Sequence, residues 1–256
     1  MESISRINLP TVDSTNLFVR EMLSDESSGG VTSAGSSLPG FTLVVADDQT
    51  KGRGQKGNSW ETEAGKNIIF SLLCHPAFIH PAHQFLLSQS MAVAVQQTLS
   101  EYVDGVEVKW PNDIYVGDKK ISGTLIECDL QGKHISNCII GVGININQTA
   151  FRSDAPNPTS LSLLTGKEHD REQILSGIIG RFQQMYDMLR QGDEATIRTS
   201  YMKNLYRREG MHCYADARGE FMAEVAGIEP TGHLLLRFDS GNVVRYEFKD
   251  VKFILP

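Results

Sequence analysis

The sequence predicts an α+β protein: a mixed β-sheet with helices packed on it, followed by a small C-terminal β-barrel. Two observations carry this expectation. Up to residue 206, apolar runs of strand length are interspersed with segments of helical period, the pattern of a mixed α+β layer. After about Arg207 the texture changes to short runs at even spacing, divided by Arg218-Gly219, Thr231-Gly232 and Ser240-Gly241. Such spacing reads as a barrel of about 50 residues. The expected division is therefore residues 1–206 and 207–256.

Each element has its own justification. A short strand over 5–9 leads into Asp13-Ser14-Thr15-Asn16, residues of the kind that cap helices, and Leu17, Phe18, Met22 and Leu23 follow at near-helical spacing. This motif should stand at a helix start, with free backbone N–H groups nearby. The Ser- and Gly-rich stretch 24–40 reads as a mobile surface loop. Runs 41–46 and 67–73 read as buried strands. Over 81–102, Phe85, Ser88, Ala92, Val95, Leu99 and Tyr102 follow the three-four period of a long helix. Strands are expected over 106–110, 114–116 and 119–127, with Gly117-Asp118 turning between the last two, and then over 137–147. Asp170 and Gln173 cap a helix carrying Ile174, Ile178, Phe182, Met185 and Leu189, and a shorter helix covers 194–206. The barrel strands fall at 211–214, 220–228, 233–238 and 243–248.

Composition removes several function classes. No apolar run approaches the roughly 18 residues of a spanning helix, and the first ten residues hold no secretory apolar core. The expectation is a soluble, cytoplasmic protein with no membrane role. A formal charge of −7 weighs against a broad nucleic-acid surface. Cys74, Cys128, Cys138 and Cys213 form no C-x-x-C pair and read as reduced, mostly buried thiols. His75, His80 and His83 lie close in sequence, but the prolines between them suggest a capping loop, and no metal site is assigned.

Three constellations carry chemistry. In Gly52-Arg53-Gly54-Gln55-Lys56-Gly57, the glycines let backbone N–H groups approach an anion, Arg53 and Lys56 add charge, and Trp60 offers a flat face to a planar ligand. Alone, this pattern reads equally as an exposed turn. It is neither a Walker A loop nor a dinucleotide-binding turn. In Lys109-Trp110-Pro111-Asn112-Asp113 the proline implies a corner that exposes Asn112 and Asp113, with Lys109 and Lys120 on the flanking strands. An ordinary hairpin with solvated lysines is the alternative. Gly141-Val142-Gly143-Ile144-Asn145 suits close backbone approach to a ligand, and also a β-bulge.

Taken in order, DSTN, then Q-x-x-GRG-x-x-G-x-x-W, then KWPND with K-x-x-G, then G-x-G-x-N, the chain resembles the biotin protein ligase family. The resemblance is carried by residues 9–147 and continues more weakly into the barrel. It implies a class II synthetase-like catalytic domain with an SH3-like C-terminal barrel. It further implies formation of biotinyl-5′-AMP from biotin and ATP with Mg²⁺, then transfer of biotin to a lysine of a biotin carboxyl carrier protein.

By position in those motifs, the resemblance places the biotin head against Ser14, Thr15, Asn16 and Gln49. Gly52, Arg53, Gly54 and Gln55 would fold over biotin as a lid that orders on ligand binding, with Lys120 and Gly123 beside it. Arg53, Lys109 and Lys120 fall at catalytic positions, and Lys56, Gly57, Trp60, Asn112, Asp113 and Asn145 near the nucleotide. The chemistry is consistent with this set, because a carboxylate must approach an α-phosphate. Two unit charges about 4 Å apart repel by about 4 kcal/mol at an effective dielectric near 20. Cations offset that repulsion and stabilise the transition state.

Two departures stand out. Gln55 replaces a second loop arginine common in the family. Only about a dozen residues precede DSTN, so the helix-turn-helix domain of some members is not expected. A lipoate or octanoate ligase of the same superfamily is the nearest rival, and a non-catalytic biotin sensor the next. The Ser14, Thr15, Asn16 and Gln49 set favours a ureido ring over a linear acyl chain. The sequence sets no oligomeric state, and a homodimer is one option.

Overall fold

The computed structural model describes residues 3–27, 40–54, 58–152 and 157–255. Its centre is β3 (Ile68–Cys74), buried at every position. A strand apolar on both faces must be covered on both, and it is. It lies in a seven-stranded mixed sheet with β1 (Ile4–Leu9), β2 (Phe41–Ala46), β4 (Val106–Lys109), β5 (Asp113–Val116), β6 (Lys119–Gln131) and β7 (His134–Ile144), in the order β1-β2-β3-β7-β6-β5-β4. β1 and β2 are parallel and every other pair is antiparallel.

One face packs against α2 (Phe85–Leu99), which is buried at all but one of its positions and is itself backed by α4 (Arg171–Arg190) and α5 (Glu194–Lys203). Phe70, Leu72, Met91, Val95, Ile178 and Phe182 belong to this core. The opposite face carries a smaller cluster, Val44, Leu73 and Ile139 against Val19 and Leu23 of α1 (Thr15–Ser27). Because α1 covers only part of that face, the rest of it is open to form a site.

The expected helix over 81–102 is shorter, since Pro81–His83 forms a single 3-10 turn, capped by His80, before α2 begins. Pro81 favours the first turn but supplies no N–H to a longer helix. Asp170 caps α4 as expected, accepting from the N–H groups of Glu172 and Gln173. The short α3 (Leu161–Thr165), capped by Ser160 and ended by Gly166 at positive φ, was not anticipated.

After α5 the chain forms a second, five-stranded antiparallel sheet from β8 (His212–Asp216), β9 (Gly219–Ile228), β10 (Leu234–Phe238), β11 (Val243–Tyr246) and β12 (Lys252–Phe253), ordered β11-β10-β9-β8-β12. This matches the expected small β module, with β12 an addition. It docks on the large sheet at one seam, where the Trp110 indole donates to the Gly232 carbonyl (2.9 Å) and stacks at a tilt on Phe248.

Of the expected loop over 24–40, residues 24–27 instead continue α1 as its last turn, and 28–39 lie outside the described residues. The four cysteines are free thiols. His75, His80 and His83 turn to separate partners: the Ser136 carbonyl and Asn137, the Ala82 N–H, and Glu194.

Candidate active site

Residues paired in register share a face of the sheet. One row therefore runs Lys109, Asp113, Gly123, Gly143, Ile69, and the next contains Leu125, Gly141 and Ser71. Where a sheet normally presents side chains, these rows present three glycines. The gap is occupied from above. A Cβ on Gly143 would overlap the Trp60 ring, and one on Gly141 would overlap the Asn16 amide. The result is a cavity of about 650 Å³, floored by bare backbone and walled by the predicted motifs.

At one end stands the start of α1. Ser14, Thr15 and Asn16 are all buried. The Thr15 N–H and hydroxyl both donate to Gln49 Oε1 (2.8 and 3.1 Å), so Gln49 is held amide-nitrogen outward. Ser71 Oγ lies 2.8 Å from Thr15 Oγ1 and 2.5 Å from Asn16 Oδ1, while Asn16 Nδ2 donates to Glu127 Oε2 (2.8 Å). A connected cluster of hydroxyl and amide groups thus closes this end.

At the other end stand the cations. Lys120 Nζ pairs with Asp113 (2.7 Å) and lies 5.7 Å from the centroid of the Trp60 ring. It reaches the cavity because β6 carries a register shift opposite Ile114/Tyr115 that accommodates one extra residue, Ile121, and so turns Lys120 to face Tyr115. Lys109 Nζ sits between the rings of Tyr115 (5.0 Å) and Phe253 (4.8 Å), so the second sheet supplies one wall. Burial pushes Lys109 below the ordinary lysine value, partly offset by Asp113. Burial, and then the Asp113 charge, raises the Tyr115 phenol to about 12. Arg53 stands apart from these two lysines, 3.8 Å from Glu127 and so on the Asn16 side of the cavity.

The glycine-rich segment folds back on itself: Gly54 N–H donates to Asn58 O (2.7 Å) and Trp60 N–H to Gly52 O (2.9 Å). Gly52 allows this closeness, since a Cβ there would overlap the Trp60 carbonyl. Gln55, Lys56 and Gly57 lie outside the described residues.

Of the nucleotide candidates, Trp60, Asn112, Asp113 and Asn145 all line the cavity. Asn112 Nδ2 donates to the Thr124 carbonyl. Asn145 Nδ2 donates to the Thr159 carbonyl (3.0 Å), and Asn145 Oδ1 and Trp60 Nε1 are buried without a partner among the described residues. An unpaired acceptor and donor at a cavity wall suit a ligand with polar edges.

Sequence reasoning missed Ser71, Glu127, Tyr115 and Phe253. Ser71 leaves a signal, a lone hydroxyl within the apolar run IIFSLLC, and Glu127 a similar one within TLIEC. Phe253 leaves none, because its place depends on how two sheets dock.

A family model described as the biotin/lipoate A/B protein ligase family matches residues 34–145. The bifunctional ligase/repressor BirA of Bacillus subtilis is 32% identical over 253 residues, covering 94% of this chain and 75% of that protein. The biotin–[acetyl-CoA-carboxylase] ligase of Paracoccus denitrificans is 26% identical, covering 81% of this chain and 88% of its own. Among solved structures, a biotin protein ligase from Aquifex aeolicus in complex with biotin and ATP shares the fold. Its TM-score is 0.78 at 24% identity, and the match covers 98% of this chain and 99% of that one.

Proposed function

This chain belongs to the biotin protein ligase family, and we propose that it makes biotinyl-5′-AMP from biotin and ATP and passes biotin to a lysine of a carrier protein. The observation that carries the reading is a single cavity closed at one end by Thr15, Asn16 and Gln49, backed by Ser71, and at the other by Lys109 and Lys120, with Arg53 lining it beside Glu127. The ureido ring of biotin has one acceptor and two N–H donors, which hydroxyls and amides can match. Its carboxylate, at the end of the side chain, then meets the cations.

In the first step a carboxylate oxygen attacks the α-phosphorus and the bond to pyrophosphate breaks. Lys120 and Arg53 hold the two anions together and stabilise the charge that builds between them. Lys109, walled by Tyr115 and Phe253, adds a partly desolvated cation, whose field is less screened than one in water. Asp113 holds Lys120 in place through their ion pair.

In the second step the amine of the acceptor lysine attacks the acyl carbonyl and AMP leaves. Neither step needs a nucleophile from the enzyme. Trp60, over Gly143, offers the adenine a flat face, and Gly52 and Gly54 give the backbone the freedom that a lid over the adenylate requires.

Among the described residues no three His, Cys, Asp or Glu side chains gather around one point. The donor set therefore fits Mg²⁺ carried on the ATP phosphates rather than caged by protein, and it would neutralise the departing pyrophosphate. The same reading takes residues 1–206 as the catalytic domain and 207–256 as the β module. It places the protein in the cytoplasm, with a biotin carboxyl carrier domain as partner, no nucleic acid or membrane role, and a homodimer as an open option.

Exchange of labelled pyrophosphate into ATP, with Mg²⁺ and either biotin or lipoate, tests the reading. Exchange with biotin alone is expected. Exchange with lipoate alone would overturn the substrate, and exchange with neither would overturn the chemistry.

A further inference from the structure

We propose that Glu127 is a positioning residue that sets the polarity of the biotin-head clamp, by holding the Asn16 amide nitrogen toward itself and the amide oxygen over Gly141, and by tying Asn16 to Arg53. The inference rests on the function proposed above. Glu127 lies on β6 opposite Ile139 of β7, on the sheet face covered by α1, and its side chain is partly buried at 27% exposure. One carboxylate oxygen accepts from Asn16 Nδ2 at 2.8 Å, and the other stands 3.8 Å from Arg53 Nη2. It thereby bridges the head-group end of the cavity and the cationic loop.

The argument is one of donor and acceptor inventory. A carboxylate only accepts, so the side of Asn16 facing Glu127 must be its NH₂. The Oδ1 then faces the other way, over Gly141, where it takes the Ser71 hydroxyl at 2.5 Å. With Thr15 Oγ1 beside it, the wall over Gly141 presents acceptors, the complement of the two ureido N–H groups. Were Asn16 reversed, its NH₂ would face those N–H groups and Ser71 would lose its acceptor. Glu127 touches neither biotin nor the reacting atoms in this scheme; it acts through Asn16.

Glu127→Gln separates this role from bulk. The shape is kept, but an amide offers one accepting atom where a carboxylate offers two. Arg53, as the cation, competes for that single oxygen. The new amide NH₂ is then left facing Asn16 and reverses it. The expected result in pyrophosphate exchange is a rise of about tenfold or more in KM for biotin. KM for ATP should stay within about twofold and kcat within about threefold.

Glu127→Asp, which keeps two acceptors, should recover part of the biotin affinity. In an Asn16→Ala background the Glu127→Gln change should have little further effect, because the group it acts through is gone. Unchanged KM for biotin, an equal rise in both KM values, or additive effects in the double variant would overturn the proposal. A wild-type protein that exchanges only with lipoate would instead overturn the functional reading on which it rests, so the two failures are distinguishable.

Discussion

Gly143→Ala is the sharpest perturbation the cavity offers. The added methyl would overlap Cε2 and Nε1 of Trp60, and even the third-nearest ring atom, Cζ2, would lie only 2.9 Å away. Carbon atoms in comfortable contact sit about 3.5–4.0 Å apart, so the indole must retreat by roughly 1 Å. Its backbone cannot move with it, because Trp60 N–H is bonded to Gly52 O and the Trp60 carbonyl lies against Gly52. The ring must therefore rotate away from the floor and leave the row shared with Gly123.

If Trp60 is the adenine platform, the variant forfeits stacking worth about 1–3 kcal/mol, or about 5- to 150-fold in ATP affinity. Biotin affinity should change little, since the head cluster surrounds Gly141 in the next row. Tryptophan fluorescence is a convenient assay. The chain has two tryptophans, and Trp110 is buried with its indole bonded to Gly232. An ATP-dependent change in emission therefore reports on Trp60. Unaltered ATP affinity in the variant, or an equal loss for biotin and ATP, would refute the reasoning.

Two further outcomes follow from the cationic end. Lys120→Ala should lower the rate of adenylation by about two to three orders of magnitude, equivalent to roughly 3–4 kcal/mol of lost charge stabilisation, while calorimetry shows biotin still binding; undiminished exchange would remove Lys120 from the chemistry. For Lys109, the folded-state pKa lies below the unfolded one, so the unfolded chain binds more protons between the two and stability from this group rises with pH across that window. Activity, which uses the cation, should fall across the same window. Phe253→Ser, which opens the lysine to water, should shift that alkaline fall to higher pH, and a pH–rate profile with an unmoved limb would count against the aromatic wall.

The fold was legible to the extent that local pattern decided it. FTLVVA has the bounds of β2, and Asp170 caps α4 because both are set by residues adjacent in sequence. The site was legible where glycine, proline and charge cluster in short motifs: Ser14, Asn16, Arg53, Trp60, Lys109 and Lys120 all reach one cavity. What the sequence concealed depends on pairing across distance. Ser71 and Glu127 matter because β3, β7 and β6 bring them beneath α1. Phe253 matters because a two-residue strand of the second sheet lies against Lys109. Neither relation has a period or a motif that could be read from the chain.

The extra residue in β6 gives a meaning to spacing itself. In a regular strand, residues three apart point to opposite sides, so a lysine and a glycine written K-x-x-G could not serve the same ligand. Ile121 breaks that parity, and Lys120 and Gly123 arrive on one side together. The motif is therefore as much a count as a composition. Pulling the strand straight with its length kept would restore alternation and turn the lysine toward the apolar layer under α2, with every chemical group still encoded and the cation not delivered.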